Sequence, residues 1–198
     1  MLLKNIKIKA SLFLILCFGL KNISASTTKE VFAKYSNKYF IETGSCIGDG
    51  IQMALEGPFE QIYSIELSDH FYQLCCQRFS ANSNVELFLG NSVNVLPQIL
   101  DLLDAPATFW LDGHYSWNGT ARGDTNSPIL EELEIIGKHH IKNHTILIDD
   151  VRQFGTIEFD FIELEDVIKK ILSINENYQI SFEDGHIPND VLVAKIIN

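Results

Sequence analysis

The chain has 198 residues, of which 46% are apolar and 21% charged, one domain's length of ordinary globular composition. Its 15 Lys and Arg stand against 26 Asp and Glu, a net charge of −11. That balance argues against nucleic acid as a partner, because neutralising phosphates takes clustered cations, and the composition excludes a disordered, collagen-like, disulfide-stapled or multi-span membrane chain.

The chain opens on Met1–Ala25, which reads as a targeting segment. Lys4, Lys7 and Lys9 make a basic start, Ala10–Leu20 is an apolar run, and Ile23-Ser24-Ala25 ends on a small residue suited to cleavage. The run is shorter than the ~20 residues that span a bilayer. The expectation is a signal peptide or apolar leader over residues 1–25 and a single domain over residues 26–198. Export, or membrane association through the leader alone, follows if the leader is used; the cytoplasm follows if it is not. Beyond the leader, Cys46, Cys75 and Cys76 are odd in number and lack a framework spacing, so they are expected as free thiols.

From residue 39 on, short β-branched runs alternate with segments of helical periodicity. Strands are expected at Tyr39–Thr43, Gln61–Leu67, Val85–Gly90, Thr108–Asp112 and Thr145–Asp149, each buried on both faces. Helices are expected near Gly50–Leu55, Asp69–Phe79, Val93–Leu103 and Ile129–Lys138. This alternation means βαβ units and a parallel sheet. After a helix around Ile162–Ile174, the runs Tyr178–Glu183 and Val191–Ile197 are too close for a helical crossover and should pair antiparallel. The fold class is therefore α/β: a doubly wound, mostly parallel seven-stranded sheet with a C-terminal antiparallel hairpin.

The first strand runs into Glu42-Thr43-Gly44-Ser45-Cys46-Ile47-Gly48-Asp49-Gly50. Glycines between a strand end and a helix start serve either a tight turn or the close approach of a ligand to the backbone. The second strand ends in Glu66, where a carboxylate either accepts both hydroxyls of a ribose or faces a helix dipole. The third ends in Gly90-Asn91-Ser92, whose amide and hydroxyl suit an adenine edge. These three strand tips together point to an adenosine-type site.

With those residues in place, the sequence resembles the class I S-adenosylmethionine-dependent methyltransferases over about residues 35–198. The acid-x-Gly-x-x-x-Gly loop (Glu42, Gly44, Gly48), Glu66, Gly90-Asn91-Ser92 and the closing hairpin carry the likeness. Cys46 stands where a middle glycine is common, a departure shared by the catechol-type O-methyltransferases. The resemblance implies that S-adenosylmethionine is the cofactor. Glu42 and the residues around Gly44 and Gly48 would then hold its methionine portion, Glu66 its ribose, and Asn91 with Ser92 its adenine. A NAD-binding module is the competing reading of the loop, but it prefers a complete Gly-x-Gly-x-x-Gly.

Strand four ends in Asp112-Gly113-His114 and strand five in Asp149-Asp150. If these strands are neighbours, ~4.8 Å apart, three carboxylates converge and repel unless a proton or cation intervenes. Oxygen ligands suit a hard divalent ion, most plausibly Mg²⁺, unless the acids merely cap helices. The resemblance to the catechol and caffeoyl-CoA type O-methyltransferases implies Asp112, Asp149 and Asp150 as its ligands, with Asp150 where an Asn is usual. Asp112 and His114 are the candidate catalytic residues; His114 would take a proton from a substrate hydroxyl, complete a metal shell, or simply hold the following loop. His139, His140 and His144 cluster at a helix end, where they would favour its dipole. The loop from Tyr115 to Ser127 is long for a βα connection, with Tyr115 and Trp117 as acceptor-wall candidates and Arg122 as an anion holder. Ser127-Pro128 starts the next helix.

The function so implied is methyl transfer from S-adenosylmethionine to a hydroxyl of a small-molecule or glycan acceptor, with a divalent ion assisting. Two other classes compete: an exported ligand- or glycan-binding domain without turnover, and a metal-dependent hydroxylase or hydrolase.

Overall fold

The computed structural model describes residues 27–116 and 120–197, so the Met1–Ala25 leader and Trp117 lie outside the described residues. Helix α1 (Lys29–Lys34) precedes β1 (Tyr39–Thr43), α2 (Asp49–Leu55), β2 (Gln61–Glu66), α3 (Asp69–Arg78), β3 (Val85–Leu89), α4 (Ser92–Leu100) and β4 (Ala107–Leu111). Then follow α5 (Ile129–Lys138), β5 (Thr145–Ile148), two 3₁₀ turns at Val151–Gln153 and Ile157–Phe159, α6 (Leu164–Ile174), β6 (Gln179–Glu183) and β7 (Val191–Lys195). Among the described residues no helix is long and apolar enough to cross a membrane.

The seven strands order as β3-β2-β1-β4-β5-β7-β6. β1 to β5 run parallel, and β7 lies antiparallel between β5 and β6, as the spacing of the last two runs demands. Because successive strand residues face opposite sides, Ile41, Tyr63, Phe109, Ile146 and Ala194 bury one face under α4, α5 and α6. Phe40, Ile62, Trp110, Leu147 and Val193 bury the other under α1, α2 and α3. β1, β4 and β5 are buried throughout. β3 departs from the expectation of two-faced burial: it is the sheet edge and only half-buried. Strand order reverses at β1, whose neighbours are β2 and β4, and in a sheet wound this way the crevice opens outside the carboxyl ends there.

Two of the histidines after α5, His139 and His144, pair with each other. His144 Nδ1 accepts the Ala107 N–H at 3.0 Å and its Nε2 meets His139 Nδ1 at 2.9 Å. The acceptor role at Nδ1 makes His144 a neutral Nε2–H tautomer that donates to His139. Burial, and then the neighbouring His139, push its pKa down to about 3. The folded chain thus refuses a proton that the unfolded chain takes below ~6.5. The sign is that of a depressed group: this contribution is full above pH ~6.5 and is lost as the pH falls toward 3. The stability difference between wild type and His144→Asn, which removes the titration but keeps an acceptor, should shrink by ~1.4 kcal/mol per pH unit over that window. Urea melts at several pH values check it, and a pH-independent difference would contradict a buried neutral imidazole.

Candidate active site

Loops after β1, β2, β3, β4 and β5, with the β6–β7 turn, enclose a cavity of about 510 Å³ at the carboxyl ends of the strands. Its floor at β1 is set by Gly44. At φ +88° this residue lies in the region that side chains avoid, and a Cβ there would sit 2.5 Å from the Asp112 carbonyl oxygen. The Gly44 and Ser45 N–H groups donate to the Ile65 carbonyl at 2.9 and 3.2 Å, which draws the loop against β2. Cys46 follows at φ +46° in the position of the missing glycine, and its N–H donates to Glu66 Oε2 at 2.8 Å.

Glu66 accepts from the Ser68 N–H through its other oxygen, Oε1, at 2.7 Å. Burial pushes its carboxyl up, and the N–H groups of Ser68 and Cys46 pull it back. With the Leu67 N–H also bonding it, an ionised carboxylate of about four acceptor sites still keeps capacity for a ligand hydroxyl. Glu66 is thus both the clasp that holds the glycine loop and a wall of the cavity.

Glu42 also lines the cavity, although it is almost fully buried. Ser64 Oγ donates to its Oε2 at 2.5 Å, Ser45 Oγ meets Ser64 Oγ at 2.6 Å, and burial raises the Glu42 carboxyl to about 8. Gly50 covers it so closely that a Cβ would lie 1.9 Å from Glu42 Oε1. Gly48 is not on the cavity wall. At φ +86° it starts α2, and a Cβ there would meet the Phe79 ring at 2.4 Å, while its neighbours Ile47 and Asp49 line the cavity. On the third strand tip, Asn91 Oδ1 accepts the Val93 N–H at 3.0 Å and caps α4, leaving its Nδ2 for a ligand. Ser92 lies beside it, buried on the wall of the cavity.

The acids of β4 and β5 converge, but not as the resemblance implies. His114 lies between two carboxylates, its Nδ1 3.3 Å from Asp112 Oδ1 and its Nε2 3.1 Å from Asp150 Oδ2. Burial works against its charge, yet Asp112 and Asp150 outweigh it and raise the imidazole to about 10. Asp112 is itself pushed up by burial. Asp150, although buried, is held below the usual range by His114 and Arg152. Arg152 lies 2.6 Å from Asp150 Oδ1 and also bonds the fully buried Asp190. Asp149 groups with Asp150 and Asp190 rather than with Asp112, and its Oδ1 accepts the Asp150 N–H at 2.7 Å.

Sequence reasoning missed Arg152, Asp190, His186, Glu158 and Glu132. Arg152 was open to discovery two residues after Asp150; His186 reaches the cavity, and Asp190 reaches Arg152 behind it, only because β7 inserts beside β5. Glu132, one turn into α5, is fully buried beneath Gly113, with its carboxyl raised by burial to about 7. In the long loop, Tyr115 lines the cavity, but Arg122 stacks over the Tyr115 ring at 5.8 Å and stands off the wall. Asp160 clips the loop's end, taking the N–H groups of Asn126 and Ser127 at 2.6 and 3.1 Å.

No protein-family model and no curated protein matches the sequence. Solved structures do. A candidate caffeoyl-CoA O-methyltransferase of Staphylococcus aureus is 16% identical with a TM-score of 0.59, over 98% of this chain and 93% of its own. The O-methyltransferase TomG of Streptomyces achromogenes, solved with S-adenosylmethionine, is 15% identical with a TM-score of 0.58, over 100% and 93%. A methyltransferase from Geobacter sulfurreducens is 12% identical with a TM-score of 0.59, over 100% and 92%. The chain has the fold of the class I S-adenosylmethionine-dependent methyltransferases.

Proposed function

We propose that this chain transfers a methyl group from S-adenosylmethionine to a hydroxyl oxygen of a small-molecule or glycan acceptor. The observation that carries the reading is Glu66: a carboxylate at the tip of β2, clasping the glycine loop and facing the cavity with acceptor capacity to spare. That the structural neighbours are methyltransferases supports it.

When bound, the cofactor supplies an electrophilic methyl on a sulfonium that departs as a neutral thioether. The chain's own residues then have three tasks. Glu66 would take ribose hydroxyls, Asn91 Nδ2 and Ser92 Oγ would hold the adenine, and Glu42 with the loop around Gly44 would hold the methionine portion. Asp112 accepts the acceptor's hydroxyl proton, a role suited to a carboxyl raised by burial. His114 is a poor base, because both its nitrogens already face carboxylates; it orients Asp112 and sets a positive charge beside the developing oxyanion. Alignment of donor and acceptor supplies most of the rest.

Calorimetric titration with S-adenosylhomocysteine tests the reading. Saturable binding of one ligand per chain is expected, and its absence at millimolar ligand would end the proposal.

A further inference from the structure

Three carboxylates meet where β7 enters the sheet beside β5: Asp149 and Asp150 just past β5, and Asp190 just before β7. Antiparallel pairing of Ile148 with Leu192 brings the residues after β5 opposite those before Leu192. The Val151 N–H donates to the Asp190 carbonyl at 2.8 Å, and the Arg152 N–H donates to Asp190 Oδ1 at 3.1 Å, which pins the hairpin there. All three acids are more than nine-tenths buried, at 4%, 7% and 1% exposure. One carboxylate oxygen of each lies within 4.8 Å of those of the other two.

Buried charges are paired or coordinate metals. Asp150 and Asp190 share one guanidinium, that of Arg152, and one guanidinium does not neutralise two buried carboxylates. Asp150 Oδ1 gives the independent sign of a ligand. It is buried and accepts no hydrogen bond, for the Arg152 nitrogen 2.6 Å away meets it as an ion pair only. Arg152 is a displaceable partner: its side chain is 28% exposed, and its long stem lets the charged head turn to solvent. Oxygen-only donors select a hard divalent ion. The neighbouring group of Asp112, His114 and Asp150 is more open, and an imidazole stands between its two carboxylates.

We infer that Asp149, Asp150 and Asp190 form a site for a hard divalent cation, Mg²⁺ or Mn²⁺, in which Asp190 of the hairpin takes the place that the resemblance gives to Asp112. The ion competes with the Arg152 guanidinium for Asp150 and Asp190. The site does not rest on the methyl-transfer reading, because its ligands are set by the packing of β7 on β5.

The test uses the full chain, stripped with a chelator and titrated with Mn²⁺ by electron paramagnetic resonance, with Mg²⁺ added as competitor. Wild type should bind one Mn²⁺ per chain, saturably and below millimolar ion. Asp190→Asn, which removes one ligand charge at equal volume, should weaken binding by ~10-fold or more, whereas Asp112→Asn should change it by less than ~3-fold. Arg152→Ala removes the competing cation and should strengthen binding by ~10-fold. Absence of saturable binding in wild type overturns the inference, as does a loss in Asp112→Asn as large as that in Asp190→Asn. If Asp190→Asn fails to fold, as circular dichroism would show, Arg152→Ala decides alone: an affinity that does not rise overturns the inference. Loss of the methyl-transfer reading would appear separately, as failure of S-adenosylhomocysteine to bind.

Discussion

Replacing Glu66 with alanine is expected to weaken S-adenosylhomocysteine binding by ~100-fold or more, because two hydrogen bonds to a charged acceptor are each worth ~1.5–3 kcal/mol. The substitution has a second effect that must be separated from the first. Glu66 also accepts the N–H groups of Cys46 and Ser68, so its removal loosens the glycine loop. A ligand without ribose hydroxyls separates the two. The 2′,3′-dideoxy analogue should bind wild type weakly and lose little further affinity in Glu66→Ala, whereas the parent ligand loses nearly all of its advantage. Equal losses for both ligands would assign Glu66 to the loop alone.

Gly44→Ala is expected to be the most disruptive single change in the site. Its φ of +88° disfavours any side chain, at ~1–2 kcal/mol. The added Cβ would also sit 2.5 Å from a backbone oxygen, that of Asp112, which cannot swing aside as a side-chain tip would. Together these should cost ~3 kcal/mol or more, a fall of roughly 10 °C in Tm for a chain of this size. Cofactor binding should fall with it, since relief of the clash parts β1 from β4 at the cavity floor. Cys46→Gly is the matched control: it relaxes a left-handed residue two positions on, and its stability should stay within ~1 kcal/mol of wild type. Thermal melts of the two variants side by side decide it; a Gly44→Ala protein as stable as wild type would mean that the close approach of the two strand tips is not needed.

The sheet was legible because its signals are local. Alternating runs such as Tyr39–Thr43 and Ala107–Leu111 bury both faces in place, and the short spacing between the last two strands left only an antiparallel pairing. Strand tips followed from strand ends, so Gly44, Glu66, Asn91 and Asp112 come to one cavity as expected. Gly48 was harder to read, because a positive φ at a helix start and close approach to a ligand leave the same residue in the sequence; the structure packs it against the Phe79 ring, with Ile47 and Asp49 on the cavity wall. The acid cluster was half-read for a different reason. Which carboxylate pairs with which cation depends on the hairpin that brings Asp190 beside Arg152, a contact across 38 positions that no spacing reveals. β3 looked central because Val85, Leu87 and Leu89 are apolar, yet an edge position depends on the order of strands and not on composition.

The central claim is that the tips of β1, β2 and β3 hold an adenosyl ligand, and a crystal structure of the chain soaked or grown with S-adenosylhomocysteine tests it most directly. The account predicts ribose hydroxyls on the Glu66 carboxylate, the adenine beside Asn91 and Ser92, and the sulfur turned toward Asp112 and His114. A ligand bound elsewhere, or one whose ribose leaves Glu66 untouched, would contradict it.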